Sequence, residues 1–148
     1  MADYGVLKTL HVMGAVLLAG NVTVTGVWAL LMYRARREVP FRPVARAILW
    51  TDLLTVAGGA MLTITGILMI RQARLPWADL PWLIRGIGAL AASTVVWLAV
   101  LLPDQMRMAR LGSGDSGRLR VLFRRWSVVG WSTTVLLYVA IWYMVTKS

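Results

Sequence analysis

Four apolar runs, at roughly 9–32, 47–70, 83–102 and 121–145, constrain this chain more than any other feature. Each run is about 20 residues or longer, enough to cross a ~30 Å hydrocarbon core as a helix rising ~1.5 Å per residue. Membrane β-barrels show shorter, alternating segments, which are absent here. The hydrophobic share of 59% and the mean hydropathy of +0.69 follow from these runs. The expected fold is an all-α membrane protein, a four-transmembrane-helix antiparallel bundle. Residues 1–148 form one domain, with helices at about 6–33, 45–70, 83–102 and 121–146.

A net charge of +10 suggests nucleic acid in a soluble chain. Here the charges sit in two connections. One holds Arg34, Arg36, Arg37, Arg42 and Arg46; the other holds Arg107, Arg110, Arg118, Arg120, Arg124 and Arg125. The positive-inside rule puts both in the cytoplasm. Both termini then face the outer, periplasmic side of a bacterial inner membrane. No aromatic-basic module for nucleic acid is present, so the lipid bilayer is the expected partner of the arginines.

Pro40 and Pro43 are expected to stop helix one and delay helix two. A short surface helix is expected around 104–111, followed by a flexible "GSGDSG". Tyr33, Trp50 and Trp126 would anchor one interface, and Trp77, Trp82, Trp142 and Tyr143 the other. Helix one carries a heptad-spaced seam, His11, Gly14, Leu18, Asn21, Thr25 and Trp28. Helix two offers Asp52, Thr55, Gly59, Leu62, Gly66 and Met69, and helix three Arg85, Ala89, Ala92 and Val96. Helix four offers Ser127, Gly130, Thr134 and Tyr138. Thr55, Gly59 and Thr63 form a small-residue ladder of the kind that lets helices approach closely in lipid.

The ionisable residues carry the chemistry. His11 is the single histidine, and there is no cysteine. Its imidazole is a packing group that bonds a neighbouring helix, a proton carrier near pH 7, or an axial ligand to the iron of haem b or a related porphyrin. Lys8 and Arg85 fall at a similar depth, where propionates would sit, and Met69 or Met144 could serve as a second ligand. The alternatives are another copy's His11 or an empty second position, since one chain has no second histidine. Asn21 lies near the bilayer centre, for an interhelical hydrogen bond or a ligand contact. Asp52 reads as a group near the start of helix two that caps, pairs with an arginine or relays protons. No nucleophile–base pair, phosphate loop or paired-carboxylate motif appears.

The segments "LKTLHVMGAVLLAGNVTVTGVW", "TDLLTVAGGAMLTITGILM" and "RRWSVVGWSTTVLLYVAIWYMVTK" resemble a family of small bacterial integral membrane proteins. That family is catalogued as a domain of unknown function (two-two-six-nine). The resemblance implies a four-helix inner-membrane fold and no established activity. A more distant similarity is to the four-helix membrane protoporphyrinogen oxidases and to copper-resistance membrane proteins. Lys8-Thr9-Leu10-His11 matches the oxidases' opening of helix one. Trp82-Leu83-Ile84-Arg85 departs from their helix-three motif, with Arg in place of Lys and a spacing one residue shorter. This similarity implies a porphyrin ligand at His11 more than the oxidase reaction. The leading expectation is haem b or porphyrin binding in the outer half of the bundle. The alternatives are a non-catalytic scaffold subunit of a membrane complex and a small oligomeric transporter. A homo-oligomer or membrane-complex partner is expected.

Overall fold

The computed structural model describes residues 3–111 and 114–147. Gly112 and Ser113, within the GSGDSG stretch, lie outside the described residues. Four helices are long and apolar enough to cross a membrane: Tyr4–Arg34, Phe41–Gln72, Pro81–Arg110 and Ser116–Thr146. The first is α1, the second α2 and the last α5. The third is built from α3 (Pro81–Val96), a π-helical turn (Trp97–Leu101) and α4 (Leu102–Arg110). Helices are forced here because lipid offers no partner for backbone N–H and C=O groups. Each span exceeds ~30 Å, so its charged ends reach the head groups.

Two expectations about helix limits are corrected. Pro40 and Pro43 do not delay helix two, which begins at Phe41 with Pro40 as its N-cap. Pro43 lies in the first turn, where N–H groups have no intrahelical acceptor and a missing one costs nothing. The segment around 104–111 is not a surface helix. It continues the third span, and Asp104, Gln105, Met108 and Ala109 are buried. Pro103 cannot donate to a carbonyl one turn back, and the wide π turn just before it absorbs that defect without ending the helix.

α1 packs along α2, and α3 packs along α5. α4 closes against α2, and α1 also touches α5. Among the described residues α2 and α3 share no extensive interface, so the bundle is tight at its Arg-rich end and gapped beyond it. The core sits at the Arg-rich end, built around Ala29, Phe41, Ile48, Met108, Phe123 and Trp126. Tyr33 stacks on Phe123 at 3.9 Å, with Phe41 edge-on to both. Trp126 is therefore a core residue, 7% exposed, and not an interfacial anchor.

The seams also shift. On α1, Gly14, Leu18 and Thr25 are buried as expected, but fully buried Ala29 replaces Trp28, which is 38% exposed. A straight helix has 3.6 residues per turn, so a strict heptad drifts off its face within a few turns. On α2 the close approach belongs to Gly58. A Cβ there would lie 2.8 Å from Leu18 N and 3.1 Å from Gly14 O. A Cβ at Gly14 would lie 2.7 Å from Leu62 N. Gly59 has nothing within 4 Å of its Cβ position. On the third span the buried face runs through Leu83, Gly86, Ser93 and Leu101, leaving Arg85 and Ala92 exposed. On α5, Thr134 is buried as expected and Tyr138 is exposed.

Candidate functional site: an interhelical cavity with a polar floor

A cavity of about 440 Å³ lies between the α1–α2 pair and the third span with α5. Its walls are apolar side chains, hydroxyls and three tryptophans, Trp97, Trp126 and Trp131. Most hydroxyls are already spent. Thr63 donates to Gly59 O, Thr94 to Leu90 O, and Thr133 and Thr134 both to Gly130 O. Ser93 donates across to Thr133 O at 3.3 Å, tying α3 to α5. These residues present mainly methyl and methylene surface to the cavity.

The end nearest the arginines is different. Asp52, Gln105 and Trp126 line it, each less than a tenth exposed. The Gln105 side chain hydrogen-bonds Asp52. Asp52 Oδ2, Gln105 Oε1 and Trp126 Nε1 are buried with no hydrogen-bond partner among the described residues. An unpaired buried polar group costs about 1–3 kcal/mol, so three at one end of a cavity mark a place where a ligand's polar atoms would be stabilised.

The neighbouring carboxylate is treated differently. Asp104 is fully buried, but Arg125 of α5 grips both its oxygens, with Nε to Oδ2 at 2.7 Å and Nη2 to Oδ1. Arg107 Nη1 adds a longer contact of 3.4 Å. That cluster bolts α4 to α5 behind the floor. Among the described residues Asp52 has no such arginine, and it lies well inside α2 rather than at its start.

Val56 and Ile64 of α2 line the cavity and are 51% and 59% exposed. The cavity therefore opens sideways through the gap between α2 and α3, toward the lipid.

The sequence-derived site residues lie elsewhere: His11, Lys8, Arg85, Met69 and Asn21 do not line the cavity. His11 rests against α2. Its Nδ1 donates to Leu62 O at 2.9 Å and to Thr65 Oγ1 at 3.1 Å. The direction is fixed because Leu62 O can only accept, and Thr65 gives its own proton to Met61 O at 2.6 Å. The imidazole lies over Gly66, where a Cβ would sit 3.0 Å from its Cε1. Asn21 Nδ2 donates to Thr51 O at 2.9 Å and Thr55 Oγ1 at 2.8 Å. Arg85 stacks its guanidinium over Tyr143 of α5 at 5.5 Å, so it and His11 belong to different helix pairs. Lys8 is exposed, and Met69 is half-buried near the end of α2.

Gln105 and Trp126 do not stand out in the sequence, because a surface segment and an aromatic belt suit their positions equally well. The available signal is Asp52 itself, a carboxylate inside an apolar run with no adjacent arginine.

No curated protein and no solved structure matches the chain. One family model, described as "Predicted integral membrane protein (DUF2269)", matches residues 5–148, nearly the whole length. The four spanning helices agree with that description, and the chain belongs to this family of integral membrane proteins.

Proposed function

We propose that the protein is a membrane-embedded binding protein for a lipid-soluble small molecule held in the interhelical cavity. One observation carries this reading: an apolar cavity is lined at one end by Asp52, Gln105 and Trp126, each with a buried polar atom that has no partner among the described residues. Apolar pockets with a few convergent polar groups are the usual form of a small-molecule site. The body of the ligand would lie among the spent hydroxyls and tryptophans, and its polar end at Asp52, Gln105 and Trp126. The Arg-rich end faces the cytoplasm of a bacterial inner membrane in this reading, and the termini face outward.

The test is native mass spectrometry of the protein released from mild detergent. A co-purifying small molecule near one per chain is expected. Gly59 lines the cavity with open space around it, so Gly59→Phe should fold and lose the adduct. An adduct that survives Gly59→Phe, or none in the wild type, overturns the reading.

A second reading attaches to His11. With Nδ1 donating to a carbonyl, a neutral ring keeps its lone pair on Nε2, the arrangement usual at metal-ligating histidines. Haem b would then sit on the outer surface of α1 or between His11 residues of two copies, and would supply one-electron chemistry. Lys8, on the same helix as His11, is the cation for its propionates and Met69 the other candidate ligand, whereas Arg85 stacks over Tyr143 in the other helix pair. A Soret band that disappears in His11→Ala is the expected result. A colourless protein from haem-replete cells overturns it.

A further inference from the structure

The polar floor is not symmetrical in its chemistry. Asp52 Oδ2 and Gln105 Oε1 are both lone-pair acceptors, and Trp126 Nε1 is a donor. The carboxylate decides the class of molecule. An ionised side chain inside a membrane is tolerated when it faces a partner of opposite sign. Asp104, one residue before Gln105, has Arg125 and Arg107. Asp52, which lines the cavity, has the Gln105 amide and a second oxygen that is buried without a partner among the described residues. Three tryptophans line the same cavity, and indole faces attract cations most strongly where water is excluded.

We infer that the ligand is a lipophilic ammonium ion, with its N–H groups on Asp52 Oδ2 and Gln105 Oε1. A hydroxyl beside the ammonium would accept from Trp126 Nε1, so a long-chain amino alcohol fits the full set. The tail lies along the cavity and leaves through the gap between α2 and α3. This inference rests on the cavity being a binding site and adds the charge and hydrogen-bonding pattern of what it binds.

The experiment compares three probes on the full-length protein in lipid nanodiscs, followed by tryptophan fluorescence. Sphinganine carries the ammonium and hydroxyls, N-acetylsphinganine removes the charge, and palmitate reverses it. Saturable sphinganine binding is expected, with the acetylated probe at least about tenfold weaker and palmitate without saturable binding. Asp52→Asn should erase the preference for the ammonium, and Asp52→Glu should keep it. Equal binding of sphinganine and its acetylated form to the wild type overturns the inference, and that comparison needs no variant. So does a preference for the ammonium that persists in Asp52→Asn. If acetylated and charged probes bind alike and Gly59→Phe abolishes both, the cavity remains a site and only its ligand class is wrong. If Gly59→Phe changes none of the three, the cavity reading fails with it.

Discussion

Replacing Gly58 by valine should unfold or disassemble the bundle, whereas Gly59→Ala one residue later should be neutral or stabilising. The contrast is one of contacts, since both glycines lie in the same helix. At Gly58 a new Cβ meets backbone, Leu18 N at 2.8 Å and Gly14 O at 3.1 Å. At Gly14 it meets Leu62 N at 2.7 Å. Backbone cannot rotate away as a side chain can, so α1 and α2 would have to separate. They would then lose the bonds from His11 and Asn21 that cross between them. Overpacking usually costs about 1–3 kcal/mol, and a clash against backbone on both helices belongs at or above the top of that range. Gly59→Ala meets open space and gains up to about 1 kcal/mol of helix propensity. Thermal or denaturant unfolding in one detergent measures both. Equal loss in the two variants would show that this crossing does not hold the bundle together.

The second large effect is asymmetric. Arg125→Met should destabilise the protein more than Asp104→Asn, although both break the same ion pair. Asp104 is fully buried, while the side chains of Arg125 and Arg107 are 51% and 59% exposed. Removing Arg125 strands a buried carboxylate that, among the described residues, keeps only the 3.4 Å contact to Arg107. Breaking a buried pair in that way typically costs about 3–5 kcal/mol. Removing the carboxylate leaves two cations that turn to water and lipid phosphates. The double variant Asp104→Leu with Arg125→Met should regain much of the loss, because no buried charge is left unpaired. Single variants of equal stability, or a double variant no better than Arg125→Met, would contradict this account of the cluster.

The floor of the cavity illustrates what the linear order hides. Asp52, Gln105 and Trp126 come from three separate helices. Asp52 was visible as an ionisable group, but its role depends on where α2 starts. With the helix beginning at Phe41, Asp52 lies some three turns in, too deep to cap it. Gln105 becomes a membrane residue only because the third span runs on through Pro103. Trp126 turns inward to pack with Phe123, at a ring separation of 5.8 Å, although its position beside arginines suits an interfacial anchor equally well.

Spanning was determined by sequence alone, because the hydrocarbon core has a fixed thickness and unsatisfied backbone is prohibitive there. Four runs of sufficient length, bracketed by arginines and prolines, leave little choice but four membrane helices. Only the tertiary structure decided the rotation of each helix about its axis. In water, a polar outer face and an apolar inner face reveal that rotation. In lipid both faces favour apolar residues, so the pattern loses its contrast. Gly58 and Gly59 are then indistinguishable as letters, and packing alone sets one against a neighbouring backbone and the other beside an open cavity.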